Sequence, residues 1–204
     1  MEKTCYIIGA GTITALPIPN DAFVICADGG LAAAARFGVT PDLIVGDFDS
    51  LGLVPKGENV FVHPSEKDET DSFLALRLGL ERGFRRFVFY GCLGGRLDLT
   101  LANIQQLQYL AEHGAQGVLI GEKETLTVIK DAAVRFGSDR TGGVSVFSLS
   151  DKSEGVTIRG LHYEAENVTL TNGFPLGVSN RFEGKEASVS VEHGVLLIVT
   201  SAPH

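Results

Sequence analysis

Up to about residue 120 the chain alternates short, β-branched apolar runs with longer stretches of helical spacing, and this alternation limits its fold more than any other feature. The runs are CYIIG, FVICA, LIVG, VFV, FVFYG and VLIG. Each suits one buried strand and is too short for a buried helix. Between them lie GLAAAARFG, DETDSFLALRLGLERGF and DLTLANIQQLQYLAEHG. Phe73, Leu76 and Leu80 recur at helical spacing in the second of these, and Leu101, Ile104, Leu107 and Leu110 in the third. Strands buried on both faces and joined by helices predict an α/β domain with a mostly parallel sheet. In such sheets ligands bind beyond the carboxyl ends of the strands.

From about residue 140 the texture changes. VSVFSLS, VTIRGL, NVTLT and ASVSVEHGVLLIVTS alternate with period two, and the turn signals TNG and EHG separate them. The expectation is a small antiparallel all-β sandwich without helices. FGSDRTGG at 136–143 reads as the linker, which gives an α/β domain over residues 1–138 and a β domain over 139–204. The segments TLTVI and AAVRF could belong to either.

Composition narrows the partners. Asp and Glu (25) outnumber Lys and Arg (17), for a formal charge of -8, and no basic cluster could track a phosphate backbone. Nucleic acid is therefore not an expected partner, and an anionic ligand would need local help from a metal or an arginine. The start MEKTCYIIGAG enters a strand after a few residues without a long apolar leader, and no run approaches the ~18 apolar residues of a membrane span. The expectation is a cytoplasmic protein with no membrane partner. Cys5, Cys26 and Cys92 each lie in or beside an apolar run and lack the CxxC spacing of a structural zinc site, so they read as small buried hydrophobes. The sequon at Asn167 is idle in that compartment.

Four acidic motifs stand at predicted strand or helix ends. In PDLIVGDFDS, Gly46 precedes Asp47 and Asp49; residues two apart in an extended segment project to one side, so these carboxylates can converge. Converging carboxylates suit Mg²⁺, a hard cation usually held by one or two carboxylates plus substrate phosphates. A turn or strand-end role is the competing reading. PSEKDETDSFLAL carries Glu66, Asp68, Glu69 and Asp71, more than the pair Asp68 and Asp71 that could cap a helix, and Lys67 among them could meet a phosphate. GCLGGRLDLTLANI runs through Gly91, Gly94 and Gly95 into a helix expected near Asp98. Its glycines let backbone N–H groups approach an anion, and Arg96 offers a fork for phosphate oxygens; a tight turn with Asp98 as cap is the alternative. ICADGGLAAAARFG repeats the design with Asp28, Gly29 and Gly30. Together the four motifs predict a metal-plus-phosphate site. No Walker motif is present, and GAGTIT at 9–14 lacks the last glycine of GxGxxG, which disfavours a nicotinamide enzyme.

The ordered set ADGG, PDLIVGDFDS, EKDETDSFLAL and GCLGGRLDLTLANI, followed by a β domain with GVSN, resembles the thiamin pyrophosphokinase family over nearly the whole chain. The resemblance implies an α/β catalytic domain, a C-terminal jelly-roll sandwich, a homodimer with sites at the subunit interface, and Mg²⁺. The implied reaction moves the pyrophosphoryl group of ATP to thiamine and releases AMP. Carried over by motif, Asp47, Asp49 and Asp71 hold the metal, Asp28 and Asp98 complete the acidic cluster, one of them assisting the substrate hydroxyl, and Arg96 faces phosphate oxygens. Gly29, Gly46, Lys67, Gly94, Gly95 and Asn103 belong to the implied nucleotide site, and Ser179 and Asn180 of GVSN to the thiamine pocket. Leu99 stands where many bacterial members have histidine after GGRxD, so a polar nucleotide contact is lost there.

Rival readings are a pyrophosphokinase acting on another hydroxymethyl compound, an aspartyl-phosphate phosphatase, and a non-catalytic binding module. The phosphatase reading is weakened by Leu51, because DxDx[TV] needs Thr or Val at that place.

Overall fold

The computed structural model describes residues 3–46, 60–62 and 69–203. The chain divides into two compact units: Met1–Leu107 with Gly114–Glu122, and Gln108–His113 with Lys123–His204.

In unit 1 the apolar runs form strands β1 (Thr4–Ile8), β2 (Phe23–Ala27), β3 (Leu43–Gly46), β4 (Val60–Val62), β5 (Arg86–Tyr90) and β6 (Gln116–Ile120). They lie in the order β6-β5-β1-β2-β3-β4 with every neighbouring pair parallel. Helices α1 (Gly30–Arg36) and α2 (Asp71–Glu81) cover opposite faces. Period two along β1 explains this, because alternate side chains leave opposite sides of the sheet. Ile8 joins Val24, Cys26, Tyr90 and Ala34 of α1 in one core. Cys5 points the other way, to α2, where a methyl group at Gly79 would sit 2.5 Å from the Phe87 ring and 3.3 Å from Cys5 Sγ. All three cysteines are free and buried, as expected of small hydrophobes.

The third helix, α3 (Leu97–Glu112), begins just before Asp98, which lies in its first turn rather than capping it. For α2 the cap is Thr70, whose hydroxyl accepts from Phe73 N at 3.2 Å, and Asp71 is the first helical residue; Asp68 of the alternative capping pair lies outside the described residues. The buried faces also differ from the apolar spacing. On α2 the buried residues are Leu74, Ala75, Leu76 and Gly79, while on α3 Leu101 is 55% exposed and Asn103, Gln106, Leu107 and Leu110 face inward.

Unit 2 holds β7 (Glu124–Lys130), β8 (Ala133–Phe136), β9 (Gly143–Ser148), β10 (Lys152–Arg159), β11 (Ala165–Thr171), β12 (Gly177–Arg181), β13 (Ala187–Ser190) and β14 (Val195–Ser201). Residues 136–143 join β8 to β9. The strand orders are β12-β9-β14-β7 and β11-β10-β13-β8. Val144, Val146, Leu196 and Ile198 from the first set share one core with Val156, Ile158, Leu170 and Val189 from the second, which makes a sandwich. GVSN lies in strand β12.

Among the described residues of both units the pairing is mixed, with antiparallel pairs in the majority, so mostly parallel describes the pairs of unit 1 and is corrected for the chain. Short turns can close only antiparallel neighbours, and the period-two segments are joined by short turns. Among the described residues no helix is long and apolar enough to cross a membrane.

Candidate active site

The strand order of unit 1 reverses at β1: the chain moves outward through β2, β3 and β4, then returns to place β5 on the other side of β1. A crevice beyond the carboxyl ends of the strands is expected at such a switch point. A cleft of about 460 Å³ lies there, lined by Gly9–Gly11 after β1, Ala27 at the end of β2 and Asp28 beyond it, Gly91, Cys92, Gly94, Gly95 and Arg96 after β5, and Glu69 to Ser72 at the start of α2. The ends of β1 and β5 are tied by Gly9 N donating to Tyr90 O and Gly11 N to Gly91 O, both at 2.8 Å. The two backbones come so close that a methyl group on Gly91 would meet Gly9 O at 2.5 Å. The pair Gly94 and Gly95, by contrast, has open space around it but adopts φ of +78° and +69°, conformations that favour glycine.

Several expected residues converge on this cleft. Asp28 lines it with φ of +45°, an uncommon backbone state for a residue with a side chain, held by its N–H donating to Val45 O at 2.7 Å. Gly46 packs directly beneath, its missing Cβ 3.2 Å from Asp28 Cα, and Gly29 abuts Ala10. Asp71, Gly94, Gly95, Arg96 and Asn103 line the cleft as well. Asp98 is not among the lining residues. It forms a two-pronged pair with Arg96, at 2.5 Å from Nη2 and 3.2 Å from Nε, in which the guanidinium holds the Asp98 carboxyl below its usual range. Asp47, Asp49 and Lys67 lie outside the described residues, and among the described residues no three His, Cys, Asp or Glu groups form a metal cluster.

The donors that the cleft presents are hard oxygens: Asp28, Asp71, Glu69 and the hydroxyls of Thr70 and Ser72. Glu69 is engaged by Arg77 at 3.1 Å. The one soft group, the Cys92 thiol, is pushed up to about 12 by burial and stays neutral. This donor chemistry fits a hard divalent cation.

Beneath the cleft, Asn103 Nδ2 donates to Cys92 O at 2.7 Å, while its Oδ1 accepts from Ser72 Oγ at 3.0 Å and Gln106 Nε2 at 2.7 Å. Gln106 Nε2 also reaches Ser72 Oγ at 2.8 Å, and Ser72 Oγ lies 3.1 Å from the capping Thr70 hydroxyl.

In unit 2, Ser179 and Asn180 border a hollow of about 490 Å³ shared with Ser145, Arg181 and Phe182. Ser179 has φ of +61°, and its N–H donates to Ser145 Oγ at 3.2 Å. Asn180 is only 6% exposed, and its side chain is turned onto the backbone. Oδ1 accepts from Tyr163 N and Arg181 N, each at 2.9 Å, and Nδ2 donates to Tyr163 O at 2.7 Å.

A family model described as the catalytic domain of thiamin pyrophosphokinase matches residues 16–119, and one described as the vitamin B1 binding domain of thiamin pyrophosphokinase matches residues 132–196. The chain belongs to the thiamin pyrophosphokinase family. Its reaction is ATP-dependent transfer of a pyrophosphoryl group to thiamine, giving thiamine diphosphate. The thiamine pyrophosphokinase of Bacillus subtilis strain 168 is 26% identical over 211 residues, covering 98% of this chain and 99% of that protein. A crystal structure of thiamine pyrophosphokinase from Bacillus subtilis superposes with a TM-score of 0.86 at 24% identity, covering 99% of this chain and all of that one. That of thiamin pyrophosphokinase from Geobacillus thermodenitrificans superposes with a TM-score of 0.84 at 26% identity, covering 98% and 97%.

For a thiamin pyrophosphokinase, two parts of the cleft escape the motif reading. Gly9–Gly11 fail the dinucleotide fingerprint yet line the cleft, because they follow the carboxyl end of β1, the strand at which the sheet order reverses. Thr70 and Ser72 flank Asp71 and were hidden by the surrounding carboxylates. Leu99, the departure from the family pattern, is 40% exposed and lines the cleft, so it offers an apolar wall where a histidine would offer a donor.

Proposed function

We propose that the unit 1 cleft binds the polyphosphate of ATP with Mg²⁺ and that the unit 2 hollow meets thiamine. The observation that carries this reading is the meeting of Asp28, Asp71 and the Gly94-Gly95-Arg96 turn in one cleft at the switch point. Asp71, with Asp47 and Asp49, would hold Mg²⁺, which when bound neutralises charge on phosphate oxygens. The chain's own groups then align the reactants, which is most of what phosphoryl-type transfer requires. The backbone at Gly94 and Gly95 approaches phosphate oxygens without a side chain in the way, beside the start of α3. Gly29, Gly46, Lys67 and Asn103 complete the nucleotide site. Arg96 has five N–H donors; Asp98 takes two and orients the fork, leaving the others for phosphate. Asp28 is the carboxylate we assign to the thiamine hydroxyl, accepting its proton as the oxygen attacks phosphorus and AMP departs.

In unit 2, Asn180 supports thiamine binding by fixing the backbone at Tyr163, and Ser179 presents its hydroxyl at the hollow. We further propose a cytoplasmic homodimer. Its support is the set of large apolar side chains left more than half exposed, Leu97, Leu101, Tyr163, Phe174 and Leu176. Light scattering that returns a monomer mass at working concentration would remove the dimer.

The decisive experiment is AMP release from ATP with Mg²⁺, with and without thiamine, with the product read by mass. Thiamine-dependent AMP with thiamine diphosphate is the expected result. Thiamine binding without AMP would overturn the enzymatic reading in favour of a binding module.

A further inference from the structure

The inner face of α3 places two amides, Asn103 and Gln106, where aliphatic side chains would ordinarily pack; they are 6% and 3% exposed. Their orientation follows by elimination. The Cys92 carbonyl can only accept, so Asn103 must turn its Nδ2 to it, at 2.7 Å. Oδ1 then faces Ser72 and Gln106, so Gln106 must present its own amide nitrogen, at 2.7 Å. The cost falls on Gln106 Oε1, which is buried with no hydrogen-bond partner. Hydrogen-bond polarity is thus relayed from the turn after β5, through α3, to the hydroxyls of Ser72 and Thr70 on either side of Asp71. Apolar side chains of similar volume would spare the unpaired Gln106 oxygen but would leave the Cys92 carbonyl unpaired in its place, so the amides are not simply filling space. What the amides add is direction: they set the first turn of α2 against one carbonyl of the turn that carries Gly94 to Arg96.

We propose that Asn103 is a positioning residue for pyrophosphoryl transfer, acting through Ser72 to hold the first turn of α2, and with it Asp71, in register with the turn after β5. This rests on the reading of the cleft as the ATP site. Asn103 then contributes to nucleotide binding through the groups it holds.

The test uses the full chain and a non-hydrolysable ATP analogue with Mg²⁺, with binding measured by calorimetry beside the steady-state constants for ATP and thiamine. Ser72→Ala removes the bridging hydroxyl, Ser72→Thr keeps it, and Asn103→Leu removes the relay at similar volume. Ser72→Ala and Asn103→Leu are expected to weaken analogue binding about tenfold, as loss of supporting partners around a ligand site typically does. The KM for thiamine should hardly move, the melting temperature should hold in Ser72→Ala and fall in Asn103→Leu, where the Cys92 carbonyl loses its donor, and Ser72→Thr should bind as the unaltered chain does. In an Asp71→Asn background the Ser72→Ala effect should vanish, because nothing is left to position. The proposal is overturned if Ser72→Ala binds the analogue normally, or if its loss is the same with and without Asp71. Should Asn103→Leu fail to fold, the Ser72 pair carries the decision alone. If Asp71→Asn itself binds the analogue as tightly as the unaltered chain, the reading of the cleft fails first, and that outcome is visible before either relay variant is compared.

Discussion

Two buried asparagines, one in each unit, use the same side chain in different ways. Asn180 spends its hydrogen bonds on backbone groups of Tyr163 and Arg181. Asn103 divides its bonds between the Cys92 carbonyl, Ser72 on α2 and Gln106 one turn along α3 itself. The first arrangement is a brace on backbone, pinning the bend at Tyr163 between β10 and β11 to β12. The second links a loop, α2 and α3, whose relative placement no ladder enforces. A buried polar side chain bonded to backbone therefore speaks for stability, whereas one bonded to side chains from several elements speaks for geometry at a site.

Four predictions test this contrast, beginning with the largest effect. Asp71→Asn should lower kcat/KM for ATP by about 100-fold, while thiamine binding and urea unfolding stay unchanged. A parallel fall in stability would show that the unit 1 network is a brace after all.

Next comes the backbone of the cleft. Gly91→Ala should cost about 3 kcal/mol in urea unfolding, combining a clash with Gly9 O and a left-handed φ of +67°. Gly94→Ala, with free space around it, should cost only about 1 kcal/mol. Equal costs would mean that the close approach of β1 and β5 does not constrain the cleft.

Asn180→Ala should cost about 2 kcal/mol of stability, as three hydrogen bonds to backbone are lost. Unlike Asn103→Leu, it should leave the KM for ATP unchanged and raise that for thiamine. A shift in the ATP constant would dissolve the distinction between the two asparagines.

The smallest effect belongs to the exposed Arg96–Asp98 pair. Arg96 holds the Asp98 carboxyl below its unfolded value, so the pair's slight contribution to stability is present above that value and lost as pH falls through the lower, native one. An NMR titration of Asp98 should return to the ordinary carboxylate range in Arg96→Gln. No change would mean that the pair does not persist in solution and does not orient the guanidinium.

Much of this was legible in the chain. Each apolar run of the first half became a strand, because a few mostly apolar residues between turn signals leave few other ways to hide from water. Among the described residues, Asp28, Asp71 and the Gly94-Gly95-Arg96 turn met in one cleft for the topological reason that carboxyl ends of parallel strands share an edge. Local reading failed where two groups could perform the same task. Thr70 and Asp68 are both competent caps, and only the position of α2 selects Thr70. The GVSN segment carries too little hydrophobic contrast to announce a strand, yet its backbone finds partners in β9.

The largest reversal is on α3. Periodicity assigned its inner face to Leu101, Ile104, Leu107 and Leu110, but Leu101 is exposed and Asn103 and Gln106 are buried. The sequence by itself determined the elements, their order and the chemistry at the strand ends, since these follow from local pattern and chain direction. Only the tertiary structure decided which way α3 is rolled and which amide faces which carbonyl. Burying an amide is tolerable only where partners from distant parts of the chain are already waiting, and no local pattern contains those partners.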